Sequence, residues 1–385
     1  MEGFWKLLSP GSAVVLLALV AACEAGGAGV TEPPPCSYFL LSAQPRDTAV
    51  YVDGAYRLRV DIRGSAACSG IPVYEYDRTL VAIDSTTGEV RGRTFGRARI
   101  ILRGVDRADT VFVSVVPRGK LAVSYLPRGG GAHAGVFLFE TDLTGLRRVV
   151  DAAGSLFGGF GAVWLPSGRE LLYHSAASAH HLIYRADTLG AVTQLVPPRY
   201  ETEDSSPTLS PDGAWVYFSS ESIRDRYPAI FRIPLAGGAM EEVWRGPDRA
   251  VGGFRPSISP DGSTLALTTW DAHGQYEARF VDLGTGAELP TRFRGEGVTY
   301  SPAGGWLSYW DSDRIWVARV DGTDARPLTS DVGYAPSANW SADGEWLAVS
   351  RLAVGGIELI QVRSGVVVPL PATDEMGFPS WHPGG

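Results

Sequence analysis

The chain has 385 residues, a formal net charge of -8 and a pI near 5.4, with 47 glycines, 26 prolines and a hydrophobic fraction of 45%. At about 100–200 residues per domain two units are expected; the glycine and proline content excludes a predominantly helical protein, and the apolar fraction is ample for a buried core. The acidic balance, with no basic stripe interleaved with aromatics, excludes nucleic acid as a partner.

Lys6 precedes an apolar run from Ala13 to Ala22, too short to cross a hydrocarbon core of about 30 Å as a helix. Residues 1–22 are therefore expected to be a signal peptide. The end of that run, Val20-Ala21-Ala22-Cys23, resembles the bacterial lipobox. That resemblance implies a lipoprotein: Cys23 would be diacylated and become the first residue after cleavage. An ordinary secretory signal with an incidental cysteine is the alternative. Glu24 stands where many inner-membrane lipoproteins carry aspartate, which by the same resemblance points to the outer membrane or the cell surface, with the lipid as the only membrane contact. Residues 23–35, ending in a proline run, have the composition of a flexible and then semi-rigid tether. Two further cysteines, Cys36 and Cys68, would meet an oxidising compartment and are expected to pair as a disulfide. A redox or metal role for them has no CxxC and no neighbouring histidine to support it.

From residue 36 to 116, short runs separated by turn signals have the spacing of a β-sandwich. Tyr56 to Ile62 alternates apolar and charged residues, as a half-buried strand does. Further on, Leu80-Val81-Ala82-Ile83-Asp84, Thr87-Gly88-Glu89-Val90, Gly96 to Leu102 and Asp109 to Val115 follow in order. This succession resembles the bacterial Ig-like domains of group 2, which implies a spacer or an adhesion module with no reactive group of its own.

Beyond residue 117 a turn recurs: Pro166-Ser167-Gly168, Ser210-Pro211-Asp212-Gly213, Ser259-Pro260-Asp261-Gly262, Ser301-Pro302-Ala303-Gly304 and Ser341-Ala342-Asp343-Gly344. Proline presets the first corner, aspartate caps its own backbone and glycine takes the positive φ. The interval of 40–49 residues between these glycines is the length of one four-stranded propeller blade. An inner strand precedes each turn, and an alternating strand such as Trp215 to Phe218 or Trp346 to Val349 follows it. At the far end Phe378 to Gly385 supplies an inner strand and a turn but no second strand. Gly119 to Leu126 supplies a second strand with no inner strand of its own. Joining the two ends closes a ring of six blades across residues 117–385, and closure removes open edge strands.

These repeats resemble the TolB-like, WD-related propeller repeats, with departures at Leu165, Ser167, Ala303 and Ala342. The resemblance implies an all-β fold, a six-bladed β-propeller behind an N-terminal Ig-like β-sandwich. Its family includes periplasmic scaffolds and the non-catalytic lids of serine peptidases, so it leaves function open. No GxSxG elbow occurs and no segment is expected to supply a hydrolase domain. His174, His180 and His181 surround the small-residue loop Ser175 to Ala179 with no carboxylate nearby in sequence, which favours a solvated loop over a metal site. Asp311-Ser312-Asp313 lacks the glycine and glutamate of a calcium loop. No cofactor and no metal are expected.

With the recurrent turns on one face, the opposite face carries the loops where function collects in repeat rings. Phe160, Asp204, Arg255, Glu296, Tyr334 and Phe378 would enter the inner strands there. The loops between second and third strands would add Arg128, His180, Arg224, Trp270, Asp271, His273, Trp310, Asp311 and Arg351. Tryptophan, tyrosine and arginine dominate interface energetics, although Trp270 and Trp310 serve blade packing equally well. The expected protein is a lipid-anchored, extracytoplasmic binding or scaffold protein whose propeller loop face docks a protein or peptide of the cell envelope, and is not an enzyme. A propeller enzyme acting on polysaccharide, with histidine-bound metal or acid/base residues at the mouth, is the catalytic alternative. A non-catalytic carbohydrate binder is the third, because exposed tryptophans also stack on sugar rings.

Overall fold

Period-two and turn-punctuated segments become strands throughout, and among the described residues every regular element is a strand. The computed structural model describes residues 38–64, 72–125, 135–151, 160–175, 180–199, 202–222, 224, 227–246, 252–270, 273–330, 333–334, 337–351 and 355–384. Cys23, Cys36, Cys68, Arg128 and Asp271 lie outside these residues, as do the signal peptide and the tether. Among the described residues no helix is long and apolar enough to cross a membrane. Contacts divide the chain into Met1–Pro117 and Arg118–Gly385.

In the first unit, Tyr38–Gln44 pairs antiparallel with Arg59–Gly64. A four-stranded sheet runs in the order Asp47–Tyr51, Ala108–Val116, Gly96–Arg103, Val73–Glu75, its first pair being parallel. Ala55–Arg57, Glu89–Gly92 and Val81–Asp84 form a third sheet. Leu58, Val81, Val90, Ile100 and Val113 are fully or almost fully buried in one core. The alternating run from Tyr56 to Ile62 is split between two sheets. Its break is Leu58, which sinks into the core while its N–H leaves both ladders to donate to the Gly88 carbonyl at 2.8 Å.

The second unit holds, among the described residues, six four-stranded antiparallel sheets. The first combines Lys120–Tyr125, Gly135–Glu140 and Arg147–Asp151 with the last strand, Met376–Trp381. The second is Phe160–Trp164, Glu170–Ser175, Leu182–Asp187 and Val192–Gln194; the third is Thr202–Leu209, Trp215–Ser222, Ala229–Pro234 and Glu241–Trp244. Phe254–Ile258, Thr264–Trp270, Tyr276–Asp282 and Glu288–Arg294 make the fourth, and Glu296–Tyr300, Trp306–Asp311, Arg314–Arg319 and Arg326–Pro327 the fifth. Asn339–Trp340, Trp346–Ser350, Ile357–Gln361 and Val367–Pro369 make the sixth. The innermost strands touch in succession around a ring, with Met376–Trp381 lying between those of the sixth and second sheets.

The second strand of each sheet differs from the alternation expected of it. Val216, Tyr217 and Phe218 are buried in succession, and so is every residue of Trp346–Ser350. Sheets stacked face to face bury both sides of their middle strands, and a strand buried on both sides reads as a continuous apolar run.

The turns hold the serine–aspartate chemistry of their sequence. In the third sheet Ser210 Oγ donates to Asp212 Oδ1 (2.5 Å) and accepts the Trp215 N–H (2.9 Å), while the Ala214 N–H donates to Asp212 (3.0 Å). Ser259 and Asp261 repeat this pattern, and so do Ser341 and Asp343. Gly213 and Gly262 stand at φ 72° and 74°, where a side chain is strained. Between sheets, Trp164 Nε1 donates to the Ser380 carbonyl (3.2 Å) and Trp340 Nε1 to that of Thr299 (3.3 Å). The Trp164 ring also meets His382 edge-on at 4.7 Å.

Trp381 is 5% exposed and packs so closely on Gly119 that a Cβ there would fall 2.3 Å from the indole. Trp381→Ala is expected to lower stability to urea by about 3–5 kcal/mol, measured as a shift of the unfolding midpoint. Asp261 supplies a second expectation. The Ser259 hydroxyl, then the Ser263 backbone and side chain, hold its carboxyl down to about 2, against an ordinary value of about 3.9. Its contribution is therefore present above about pH 4 and lost as the pH falls toward 2. The difference in melting temperature between the parent and Asp261→Asn should be fully present at pH 7 and shrink as the pH falls from about 4 toward 2.

Candidate functional site

A β-bulge recurs in the innermost strands. The ladder slips between Phe160 and Val163, Ser205 and Thr208, Phe254 and Ser257, and Glu296 and Thr299. Within each slip one residue takes a left-handed conformation: Gly161 (φ 59°), Ser206 (53°), Arg255 (53°) and Gly297 (65°). Phe378 (50°) does the same in the last strand. The first four stand seven residues before the glycine of the turn that follows. Glycine meets this geometry without cost, whereas Ser206, Arg255 and Phe378 carry about 1–2 kcal/mol each of backbone strain. Bulges bend a strand and re-aim side chains, and all five of these residues line one central cavity.

That cavity has a volume of about 1170 Å³. It reaches the turn residues Pro260 and Pro302 at one end and Trp270 and Tyr276 at the other. Phe254 organises the latter end, with its ring centroid 5.8 Å from those of both Trp270 and Tyr276.

Its charged and histidine lining comes from the second to the fifth sheets. Arg255 Nε lies 3.3 Å from Glu296 Oε1, and the Arg255 N–H donates to Ser219 Oγ (3.1 Å). Burial raises the Glu296 carboxyl and lowers the Arg255 guanidinium, each opposed by the other's charge. His174 is pushed down to about 3, chiefly by burial and then by His181 and Arg255, and is neutral at neutral pH. The rings of His174 and His181 are 5.7 Å apart. Glu203 Oε2 accepts the His181 backbone N–H (2.6 Å), and its Oε1 faces the His180 ring at 3.3 Å. The histidine segment thus has a carboxylate beside it, contrary to the expectation from local sequence; Glu203 arrives from the next sheet. Among the described residues no group of three or more His, Cys, Asp and Glu side chains is placed to hold a metal ion.

The expected face residues fall into groups. Arg255, Trp270, Glu296 and Phe378 line the cavity, and the backbone of Phe160 begins an innermost strand beside it. His273 and Arg224 are exposed on loops. Asp204 is fully buried: Arg199 Nη2 donates to its Oδ1 (2.6 Å) and to Ser220 Oγ (2.7 Å), and burial raises its carboxyl. Trp310, Tyr334 and Arg351 meet where the fifth and sixth sheets pack. There Trp310 Nε1 donates to the Tyr334 carbonyl (2.7 Å), the Tyr334 hydroxyl donates to Glu358 (2.7 Å), and Arg351 lies over the Tyr334 ring at 4.6 Å. Asp311 faces Arg294 at 3.6 Å. Glu203, Glu221, Phe254 and Tyr276 also line the cavity and were not singled out from sequence. The position seven residues before each turn glycine would have pointed to the bulges beside them.

No protein-family model matches the chain. It is 28% identical over 192 residues to an uncharacterized protein of Agrobacterium fabrum, covering 49% of this chain and 53% of that one. It is 27% identical over 153 residues to the TolB homolog of Chlorobium luteolum, covering 37% of this chain and 33% of that one. The chain thus spans about half of the first relative and a third of the second. Among solved structures it resembles TolB from Acinetobacter baumannii with a TM-score of 0.58 at 15% identity, over 81% of this chain and 83% of that one. The fold of the repeats is that of a TolB-like β-propeller.

Arg255 combines a strained backbone with the cation that faces a buried carboxylate. Arg255→Gly relieves the strain but strips Glu296 of its partner, and a net loss of about 1–3 kcal/mol is expected in urea unfolding. The double variant Arg255→Gly/Glu296→Gln should recover most of it, a coupling read directly from the double-mutant cycle.

Proposed function

We propose that this chain is a non-catalytic docking protein of the cell envelope, held to a membrane by a lipid on Cys23, whose six-bladed propeller receives a protein or peptide at the mouth of its central cavity. The observation that carries this reading is the mouth itself. Phe254, Trp270 and Tyr276 present a half-exposed aromatic wall beside buried and half-buried charges in a cavity of about 1170 Å³. Aromatic anchors in a partly desolvated recess are the usual centre of a protein interface. The repeats' resemblance to TolB-like propellers, a family that includes periplasmic scaffolds, agrees with that use. In this scheme the first unit is an Ig-like spacer, stapled by Cys36 and Cys68, and residues 23–35 hold it off the bilayer.

Two experiments test the scheme. Crosslinking in native envelopes should capture a partner with the parent chain and lose it with Trp270→Ala, whereas an unchanged band pattern would refute docking at this mouth. Cys23→Ser should move the protein from the membrane to the soluble fraction, and persistence in the membrane pellet would remove the lipid anchor from the scheme.

A further inference from the structure

The charges around the mouth do not cancel. Among the described residues, the carboxylate, guanidinium and imidazole side chains that line the cavity are Glu203, Glu221 and Glu296, Arg255, and His174 and His181. Arg255 is committed to Glu296, and His174 is neutral at neutral pH. Two carboxylates are left, and they are direct cross-strand partners in the third sheet, Glu203 opposite Glu221. Like charges in that position repel and cost stability. Glu203 Oε2 accepts the His181 N–H and its Oε1 faces the His180 ring; the Glu221 carboxylate has no hydrogen bond or ion pair among the described residues.

The aromatic wall stands next to this pair. Ser220 pairs with Ala229, which sets Pro228 beside Glu221. A Cβ on Gly252 would lie 2.4 Å from Pro228 and 2.5 Å from the Trp270 indole, so Pro228 and Trp270 close on the same point. Tyr276 beyond them is 42% exposed. Ring faces attract a cation placed within about 6 Å of their centroids. Carboxylates on one side and the cluster of three aromatic rings on the other make a recess complementary to an alkylammonium or guanidinium group.

We infer that the mouth takes a lysine or arginine side chain, presented by a basic segment of a protein partner, between the Glu203–Glu221 pair and the Phe254–Trp270–Tyr276 wall. This rests on the docking function proposed above and names the chemistry that the partner brings. The entering cation offsets the repulsion between the two carboxylates, and the rings select its alkyl stem over a bare metal ion.

The test uses the full chain and two fluorescein-labelled, end-capped peptides, Gly-Lys-Gly-Lys-Gly and its glutamate counterpart Gly-Glu-Gly-Glu-Gly, read by anisotropy. The lysine peptide should bind saturably, with affinity falling at least about threefold between about 50 and 200 mM salt. Glu221→Gln should weaken it about five- to tenfold, and Glu203→Gln/Glu221→Gln further. Glu221→Gln removes no hydrogen bond or ion pair seen among the described residues and relieves the repulsion from Glu203, so its melting temperature should be at or above the parent's. Equal binding of the glutamate peptide, or unchanged lysine-peptide binding in the double variant, would overturn the inference. Envelope crosslinking separates the two levels: a partner lost in Trp270→Ala but retained in Glu203→Gln/Glu221→Gln overturns the cation and leaves docking standing. If no partner depends on Trp270, docking fails and the inference with it.

Discussion

The second unit depends on one pairing across almost its whole length, that of Met376–Trp381 with Lys120–Tyr125. Six sheets stacked face to face bury both sides of their middle strands only if every sheet has a neighbour on each side. A ring supplies that condition and an open stack does not. Met376–Trp381 completes the first sheet and, in the same stroke, places Trp381 against Gly119 and the Ser380 carbonyl on the indole of Trp164. Loss of that strand would expose the apolar faces of the first and second sheets together, so closure and core burial are one event.

Closure also creates the cavity. Innermost strands that converge on an axis cannot all remain regular, and the bulges at Gly161, Ser206, Arg255, Gly297 and Phe378 are where they yield. Two of the five are glycine. In the other three, backbone strain accompanies a side chain set on the cavity wall, among them the cation Arg255 and the aromatic Phe378. Strain of this kind persists where surrounding structure over-determines it and tends to gather at functional sites. Here the ladder hydrogen bonds on either side of each bulge, together with the turn seven residues on, supply the determination. The outcome is a repeat whose turns are nearly uniform and whose inner positions differ from sheet to sheet, so the same scaffold carries an asymmetric surface.

Much of this was legible from the chain because its causes are local. Serine, proline, aspartate and glycine at 40–49-residue intervals specify a turn by hydroxyl, ring, carboxylate and permissive φ, and each of these acts within five residues of itself. The unmatched strands at residues 119 and 378 likewise announced their pairing by what each lacked. The face residues were harder. Asp204 and Tyr334 read as loop residues open to solvent, yet Arg199 and the packing of neighbouring sheets draw them inside. The run from Tyr56 to Ile62 read as one strand, and only the depth of the first unit's core shows why Leu58 breaks it.

Sequence alone therefore determined the turns, the period, the all-strand architecture and the partners of the chain ends, because each follows from contacts between residues close along the chain or from counting repeats. Tertiary structure decided which side chains share the cavity. Glu203 reaches His180 and His181 from a different sheet, Glu296 neutralises Arg255 across 41 positions, and Trp270 meets Pro228 through Gly252. No local pattern encodes these meetings. They arise from the radial convergence of strands that the chain itself keeps far apart, and that convergence sets the charge and the aromatic wall on which the proposed docking rests.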